Sequence, residues 1–261
     1  MALIKKQFDL DRFWKSVGES DQPVLLSDYD GTLAPFVVNR NQAVFYPGVG
    51  ERLQKITNDT RTRLVVVTGR SVRDLIPLLS LEPLPEIWGC HGAERHFPDG
   101  RHHEIAIPEA SRKMLEAASK WAESEGLLSR TELKPHSLAF HWRGLNTAHA
   151  GQIAAKIVGR WKPELDQAGL TLLEFDGGLE LKTADVNKGL AVRRIIDELE
   201  SSTPVAYLGD DRTDEEAMSV MTVNQLKVLV REELRQTRAD LHLVPPGELL
   251  AFLDQWVTAT G

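Results

Sequence analysis

Two aspartates, Asp28 and Asp30, stand two residues apart in the string DYDGT, directly after the apolar run VLLS. Such a pair can divide a displacement reaction, because one carboxylate attacks the electrophile and the other carries the proton of the leaving group. Gly31 permits the tight turn that brings backbone N–H groups towards an anion. An ordinary Asx turn would also explain this string, so the interpretation depends on the rest of the chain.

A second acidic string, GDDRTDE at residues 209–215, follows the apolar run PVAYL. Clustered carboxylates repel one another unless a cation lies among them, and hard oxygen ligands favour Mg²⁺. We therefore expect Mg²⁺ to bind Asp28, the backbone carbonyl of Asp30 and Asp210. Asp214 would complete the metal site by ordering these ligands. The competing interpretation is that the acids of this string only cap a helix.

Two further polar groups favour phosphorus as the atom that is attacked. Thr68 ends the run RLVVVTGR, where its hydroxyl and the neighbouring backbone of Gly69 and Arg70 can bind phosphoryl oxygens. Lys188, in VNKG, supplies a cation that can hold Asp28 close to the phosphate. A lone lysine is usually a surface cation, so this role depends on the other motifs. Because phosphate monoesters hydrolyse so slowly that enzymes accelerate them by up to roughly 10²¹, all these groups would be needed.

Short apolar runs that end in polar residues predict buried parallel strands, and three stand out: PVLLSDYDGT, RLVVVTGR and PVAYLGDD. The runs KVLV and LHLV predict two more strands. Helical patterns are found at residues 48–58, 71–79, 188–200, 213–221 and 247–257. Strands that alternate with helices are typical of a doubly wound α/β sheet. Such sheets bind ligands at the carboxyl ends of their strands, where Asp28, Thr68 and Asp210 stand.

The middle of the chain has a different pattern, which predicts an α+β domain at residues 108–183 inserted into a core of residues 1–107 and 184–261. Its predicted helices are residues 109–125 and 147–165, and its predicted strands are residues 130–134, 137–143, 170–175 and 179–183. Proline and glycine in the turns at residues 134–136 and 175–178 favour two antiparallel hairpins.

Side chains alternate between the two faces of a strand, so these strands predict one apolar and one polar sheet face. Leu138, Phe140 and Trp142 belong to the apolar face, which we expect the two inserted helices to cover. The polar face would carry Glu132, Lys134, His141, Arg143, Glu180 and Lys182. It is either an ordinary solvated surface or a lid that binds a sugar over the strand ends of the core, and its place in an insert favours the lid.

Composition excludes several classes of protein. The net charge of −7 and the lack of a dense Lys and Arg stretch argue against a nucleic-acid partner. Charges at the beginning of the chain argue against a signal peptide or a membrane span, so we expect a cytoplasmic protein. The single cysteine, Cys90, cannot form an intramolecular disulfide and is expected to be a small buried residue.

The strings DYDGT, VVVTGR, VNKG and GDDRTDE, in this order, resemble the signature of haloacid dehalogenase-like phosphatases. The chain is more similar still to the trehalose-6-phosphate phosphatases, through DYDGTLAPF, GCHGAERHFPDG, ELKPHSLAFHWR and LELKTADVNKG. The likeness spans about residues 24–218. It implies a Rossmann-like core with an inserted cap, Mg²⁺ as cofactor, and a phosphorylated disaccharide as substrate. Association with a trehalose-phosphate synthase is a further expectation.

The resemblance also implies roles for individual residues. Asp28 would be the nucleophile and Asp30 the general acid and base, while Thr68 and Lys188 would bind the phosphate and Asp210 the metal. Glu132, Lys134, Arg143 and Glu180 would contact sugar hydroxyls, with His91 and Gly92 near the substrate. The chain departs from the family pattern at Thr68, where serine is more frequent, and at Arg95, where an aromatic residue is common.

Three other functions remain open at this point. The runner-up is a phosphatase for another sugar phosphate, such as sucrose 6-phosphate or a glucosylated or mannosylated 3-phosphoglycerate. A phosphomutase would need a second basic cluster, which the sequence lacks. A catalytically silent domain that binds a sugar phosphate or a synthase would have lost Asp28, Asp30, Lys188 or Asp210, and this chain keeps all four.

Overall fold

The computed structural model of the chain describes residues 1–5, 7–37, 39–175 and 177–261. The chain divides into two compact units, one of residues 1–104 with 187–261 and the other of residues 105–186. Within the described ranges, no helix combines the length and the apolar character that crossing a bilayer requires.

The secondary-structure elements are numbered in chain order. The strands are β1 (Ala2–Leu3), β2 (Val24–Ser27), β3 (Arg63–Val67), β4 (Glu86–Gly89), β5 (Glu94–His96), β6 (His102–Glu104), β7 (Thr131–Lys134), β8 (Ser137–His141), β9 (Leu170–Phe175), β10 (Gly178–Thr183), β11 (Val205–Gly209), β12 (Leu226–Val230) and β13 (Leu241–Leu243). The α-helices are α1 (Leu10–Glu19), α2 (Val49–Asp59), α3 (Val72–Leu79), α4 (Glu109–Ser124), α5 (Thr147–Trp161), α6 (Lys188–Asp197), α7 (Arg212–Val220) and α8 (Gly247–Thr260).

The first unit contains a nine-stranded sheet in the order β1-β13-β12-β11-β2-β3-β4-β5-β6. Neighbours from β13 to β4 pair in parallel, whereas β1, β5 and β6 join the sheet antiparallel. From β2 the chain adds strands on one side of the sheet, and from β11 it adds them on the other. The strand order therefore reverses between β2 and β11, and a ligand crevice is expected outside the carboxyl ends of these two strands.

Both faces of this sheet are covered, which explains why its strands are apolar throughout. Side chains from α1, α2, α3 and α8 form one apolar cluster with strand residues such as Leu25 and Val66. Side chains from α6 and α7 form a second cluster with the alternate strand residues, such as Leu26 and Val65. The doubly wound α/β architecture predicted from the sequence is confirmed by this packing.

Some elements of the first unit differ from the sequence-based expectation. The runs EIWG, ERH and HHE form β4, β5 and β6, and residues 10–19 form α1, although none of these was predicted. The edge strands β5 and β6 consist of polar residues and have no apolar periodicity. In β6, His102, His103 and Glu104 are all exposed. Arg95, the atypical residue of β5, lies over the rings of Trp88 and Phe97 and forms ion pairs with acidic neighbours.

The second unit contains a four-stranded antiparallel sheet in the order β7-β8-β10-β9, with α4 and α5. Both predicted hairpins are present, β7 with β8 and β9 with β10, although Asp176 of the second turn lies outside the described residues. Leu138 and Phe140 pack with apolar residues of both helices, as predicted, and Leu179 and Leu181 join the same cluster. Strand β8 ends at His141, two residues before the predicted end, so Trp142 and Arg143 follow it.

Candidate active site

The carboxyl ends of β2 and β11 bring together two acidic strings that are far apart in the sequence. The strands pair in parallel with Ser27 beside Leu208, and the backbone N–H of Asp28 donates to the Leu208 carbonyl at 2.9 Å. Asp28 and Asp210 therefore leave adjacent strands at the same edge of the sheet. Both side chains are buried.

A tight turn after Asp28 shapes the floor of the site. Gly31 has a φ of +85°, in the left-handed region that favours glycine, and its N–H donates to the Ala34 carbonyl at 2.7 Å. A Cβ atom at Gly31 would lie only 2.3 Å from Asp210 Oδ2. Glycine is therefore required both by the backbone conformation and by the close approach of the Asp210 carboxylate.

Lys188 supplies a buried cation to this site. Its Nζ lies 2.8 Å from Asp28 Oδ1 and 2.8 Å from Asp214 Oδ1, and all three side chains are buried. Asn187 accepts a hydrogen bond from the Leu190 N–H and so begins helix α6 at the point that aims Lys188 at the strand ends. Burial would lower the pKa of Lys188, but the Asp214 and Asp28 carboxylates outweigh burial and raise it.

Asp214 holds several groups of the site in place. Its Oδ1 accepts hydrogen bonds from Lys188 Nζ and, at 2.6 Å, from the Tyr207 hydroxyl. Its Oδ2 accepts from the backbone N–H groups of Asp210 at 3.0 Å and Asp211 at 2.9 Å. With two donors on each oxygen, Asp214 suits the ordering role that the sequence suggested better than direct contact with a metal.

Asp28, Asp210 and Asp214 together form a buried carboxylate cluster whose potential ligand atoms all lie within 4.8 Å of one another. Burial raises the pKa of Asp28 to about 7; Lys188 opposes this effect and Asp214 adds to it. Burial, and then the charges of Asp214 and Asp28, raise the pKa of Asp210 well above its usual range. A divalent cation would relieve this cost of keeping the carboxylates ionised. The donor set therefore fits the hard cation that the sequence predicts.

Thr68 and Arg70 lie in the loop that follows β3. The Arg70 N–H, which the sequence predicts to face a phosphate, donates to Thr68 Oγ1 at 3.1 Å in this structure. The Arg70 guanidinium holds Asp30, because its Nε donates to Asp30 Oδ2 and its Nη2 to Asp30 Oδ1, both at 2.6 Å. This bidentate pair orients the carboxylate that the sequence predicts to be the general acid.

His91 packs against the same loop. Its N–H donates to the Thr68 carbonyl at 2.9 Å, and a Cβ at Gly69 would lie 2.7 Å from His91 Cε1 and from Nε2. Cys90 and His91 both have left-handed backbone conformations, with φ values of 48° and 58°. Strain of this kind is concentrated at functional sites. Gly92, with a φ of +106°, lies against helix α6 instead.

The predicted sugar-binding residues of the second unit share one face of its sheet. The register places Glu132 and Glu180 on either side of Ala139, so these strands present their polar side chains together. Lys134 Nζ lies 3.1 Å from Glu180 Oε1, and His141 Nε2 lies 3.3 Å from Glu132 Oε2. Arg143, just after β8, approaches Gly177 so closely that a Cβ there would meet its side chain at 2.3 Å.

Some residues that support the site were not identified from the sequence. Tyr207 looked like an ordinary residue of a buried strand, and only the structure shows its hydroxyl bonded to Asp214. Arg231 Nη1 and Arg235 Nε both donate to the Asp210 carbonyl at 3.2 Å. The buried Glu94 accepts from the Val72 N–H at 2.7 Å. The acidic residue in the string GAERH was the one available signal, since a buried carboxylate needs donors.

Known proteins resemble this chain in sequence and in fold. The trehalose-phosphate phosphatase of Mycobacterium tuberculosis is 30% identical over 249 residues, which cover 90% of this chain and 61% of that protein. The chain thus spans less than two thirds of the length of this relative. The C-terminal domain of a C. albicans trehalose-6-phosphate phosphatase superposes with a TM-score of 0.79, 19% identity and 99% coverage of each chain.

A haloacid dehalogenase-like hydrolase from B. subtilis superposes with a TM-score of 0.63 and 16% identity, covering 89% of this chain and 99% of that one. The first unit therefore has the fold of a haloacid dehalogenase-like core, and the second unit corresponds to an inserted cap. The family model described as trehalose-phosphatase matches residues 26–240, which is most of the chain. The chain therefore belongs to the trehalose-phosphatase family.

Proposed function

We propose that this protein hydrolyses trehalose 6-phosphate to trehalose and phosphate, the last step of trehalose biosynthesis. The observation that carries the proposal is the buried ion pair between Asp28 and Lys188 beside Asp210, in a chain of this family. Burying a carboxylate and a cation costs desolvation free energy, and perturbed ionisable groups of this kind are concentrated at functional sites. Covalent catalysis on a phosphate ester is the function that fits these groups.

Asp28 is the proposed nucleophile. Lys188 fixes Oδ1 of its carboxylate, so the side chain is oriented before the substrate binds. A bond forms between an Asp28 oxygen and phosphorus as the bond from phosphorus to the sugar oxygen breaks, which gives a phosphoryl-aspartate. A water oxygen then attacks phosphorus, and the bond between phosphorus and Asp28 breaks. Thr68 and Lys188 would bind the phosphoryl oxygens during both displacements.

Asp30 is the proposed proton carrier of both steps. It protonates the departing sugar oxygen in the first step and takes a proton from the attacking water in the second. Arg70 orients it through two hydrogen bonds of 2.6 Å. The remaining nitrogen, Arg70 Nη1, is buried and has no hydrogen-bond partner among the described residues, so it can donate to an oxygen of the bound substrate.

Mg²⁺ is the proposed cofactor of this site. Asp28, Asp210 and the backbone carbonyl of Asp30 would hold it, while Asp214, Arg231 and Arg235 keep the loop after β11 in place. When bound, the ion supplies positive charge to the phosphoryl oxygens. The buried carboxylates fit such an ion because their own repulsion opposes ionisation without it.

Substrate choice is assigned to the second unit, which we propose acts as a lid (residues 108–183 of the predicted cap). Its polar sheet face carries paired acids and bases that can exchange their partners for sugar hydroxyls. Sites built to pair hydroxyls discriminate strongly, because an analogue that lacks them leaves buried polar groups unpaired. Glu132, Lys134, His141, Arg143 and Glu180 are the proposed contacts.

The main alternative is a phosphatase of the same mechanism for sucrose 6-phosphate or for a glucosylated or mannosylated 3-phosphoglycerate. These substrates differ in the organic group that bears the phosphate, so only residues that contact this group, such as those of the lid, distinguish them. A silent domain that regulates a synthase would not need the buried pair of Asp28 and Lys188. A synthase partner and a cytoplasmic location stay predictions from the sequence.

Phosphate release from a panel of sugar phosphates tests the proposal. The panel contains trehalose 6-phosphate, sucrose 6-phosphate and glucose 6-phosphate, each with Mg²⁺ and with a chelator. We expect the highest kcat/KM for trehalose 6-phosphate and loss of turnover with the chelator. A preference for sucrose 6-phosphate would favour the alternative, and no turnover of any sugar phosphate would favour the silent domain.

A further inference from the structure

Phe36 is unusual among the aromatic residues of this protein. In the part of the chain that the structure describes, it is the aromatic member of the exposed large hydrophobic side chains, with 45% of its surface exposed. Val37, the next residue, packs against the first apolar cluster, whereas Phe36 is not among the buried or partly buried residues of that cluster. Transfer of a phenyl ring out of water lowers the free energy, so a ligand that covers the ring of Phe36 would explain its exposed position.

The turn at Gly31 places this ring close to the carboxylate of Asp210. A Cβ atom at Gly31 would lie 2.3 Å from Asp210 Oδ2 and 2.7 Å from Phe36 Cε2. The carboxylate and the ring therefore flank one point, and their separation cannot exceed the sum of these two distances. The hydrogen bond from the Gly31 N–H to the Ala34 carbonyl closes the turn. The turn at residues 31–34 therefore keeps the chain close to the site up to Phe36.

The ring differs in chemistry from the groups around it. Asp28, Lys188 and Asp210 are ionic, and Thr68 offers a hydroxyl, so these groups suit the phosphate and a metal. Phe36 adds an apolar surface at the edge of that charged set. Ligand sites typically combine a few polar groups with aromatic walls. In a phosphate ester the organic group is bonded to the phosphate. The Phe36 ring lies at the edge of the groups that suit the phosphate, so it is placed to contact this organic group.

We propose that Phe36 is a specificity-determining residue whose ring supports the C–H face of the sugar ring that bears the phosphate. This inference rests on the proposed function, because it takes a phosphorylated sugar as the substrate. A pyranose ring carries its hydroxyls around the rim and its C–H bonds on its faces. An aromatic surface can therefore cover one face while polar side chains bind the hydroxyls.

Replacement of the ring tests the proposal in the full chain. For Phe36→Ala we expect kcat/KM for trehalose 6-phosphate to fall roughly tenfold, which is typical of one lost apolar contact. Acetyl phosphate has no ring, so its kcat/KM should change less than about twofold. Phe36→Tyr should retain the activity of the unchanged protein on both substrates, and Phe36→Leu should lie between Phe36→Ala and the unchanged protein.

Two controls separate the role of the ring from other effects. Val223→Ala removes an exposed side chain of the same unit, 83% exposed, and should change neither substrate. Mg²⁺ should raise the unfolding temperature of Phe36→Ala as much as that of the unchanged protein. Equal losses on trehalose 6-phosphate and acetyl phosphate, or no loss on either, would overturn the proposed role of Phe36.

Phosphate release by the unchanged protein tests the proposed function separately from the role of Phe36. If it releases phosphate from acetyl phosphate but not from trehalose 6-phosphate, the proposed function is wrong. The loss of activity of Phe36→Ala on acetyl phosphate is then compared with its loss on whichever sugar phosphate of the panel is hydrolysed. If no sugar phosphate is hydrolysed, both the proposed function and the role of Phe36 are refuted.

Discussion

The two units of this protein organise their polar residues in different ways. In the first unit, Asp28, Lys188, Asp210 and Asp214 come from three distant parts of the chain, and all four are buried at the strand ends. In the second unit, the polar residues come from neighbouring antiparallel strands. Their burial varies, because the pair of His141 with Glu132 remains partly exposed whereas the pair of Lys134 with Glu180 is buried.

Sheet type explains this difference. The parallel strands of the first unit are covered on both faces, so polar chemistry can be placed only at their ends. The antiparallel sheet of the second unit has helices against its apolar face, so alternate residues can form a polar surface. Chemistry and recognition should therefore fail separately. Loss of the nucleophile or of a proposed metal ligand in the first unit should affect every substrate, whereas changes to the polar sheet face of the second unit should affect only sugar substrates.

The largest effect is expected for Asp28→Asn, which tests the first half of the comparison. The amide cannot serve as the nucleophile, and loss of such a group typically costs a factor on the order of 10⁴ or more in kcat. Trehalose 6-phosphate and acetyl phosphate should suffer alike, while thermal unfolding shows a folded protein. Asp197→Asn, at an exposed position on α6, is the matched control and should behave like the unchanged protein. Retained turnover in Asp28→Asn would rule out the proposed nucleophile.

Arg70→Lys sharpens the comparison within the first unit. Lysine keeps the charge but cannot donate the two parallel hydrogen bonds that orient Asp30. Proton transfer to the leaving sugar should therefore be impaired, so we expect kcat to fall about 10²-fold and KM to change little. Acetyl phosphate should lose much less activity in single-turnover measurements of the first step, because its leaving group needs no proton. Arg73→Lys, an exposed change on α3, is the control. Equal losses on both substrates would show that Arg70 acts on the phosphate rather than through Asp30.

Glu180→Ala tests the second half of the comparison. Glu180 accepts from Ser137 Oγ at 2.6 Å and lies 3.1 Å from Lys134 Nζ, so its loss disturbs the polar sheet face. We expect kcat/KM for trehalose 6-phosphate to fall roughly 10- to 100-fold, with acetyl phosphate unchanged. Glu174→Ala, an exposed glutamate of β9, is the control. If Glu180→Ala reduced both activities equally, the lid would have no special role in recognising the sugar.

The smallest effect concerns stability and pH. Because the folded pKa of Asp28, about 7, lies above its ordinary value of 3.8, the metal-free folded state loses stability as pH rises through this window. A cation binds the deprotonated carboxylates, so stabilisation by Mg²⁺ should grow over the same window and level off above it. At a hundredfold excess over Kd it is about 2.7 kcal/mol. Thermal unfolding near pH 5.5 and pH 8, with Mg²⁺ or a chelator, measures this difference.

Asp210→Asn provides the control for this measurement. It removes a proposed ligand while keeping the volume of the side chain, so Mg²⁺ should no longer raise the unfolding temperature at either pH. A shift of equal size at both pH values in the unchanged protein would contradict the assignment of the cation to these carboxylates.

Much of this fold could be predicted because its elements have strong local signals. The apolar runs before Asp28, Thr68 and Asp210 each form a central strand, and the strand alternation in residues 131–141 separates the polar from the apolar face of the second sheet. The edge strands β5 and β6 were missed because their residues are polar and carry no periodicity. The helix ends differ by a few residues, since capping by Asn187 or Asp211 depends on the geometry of the loop.

The residue types and their spacing along the chain were enough to indicate the family and to predict a nucleophile and the acids of a metal site, because these predictions depend on chemical groups placed directly after strands. Which group contacts which other group depended on the way the chain returns to one sheet edge. The ion pair of Arg70 with Asp30 and the Phe36 ring beside Asp210 join residues that are far apart in sequence. The Tyr207 hydroxyl contacts Asp214 of the next element, which depends on the loop between β11 and α7. Such contacts have no periodic signal, since loop geometry and packing between segments create them.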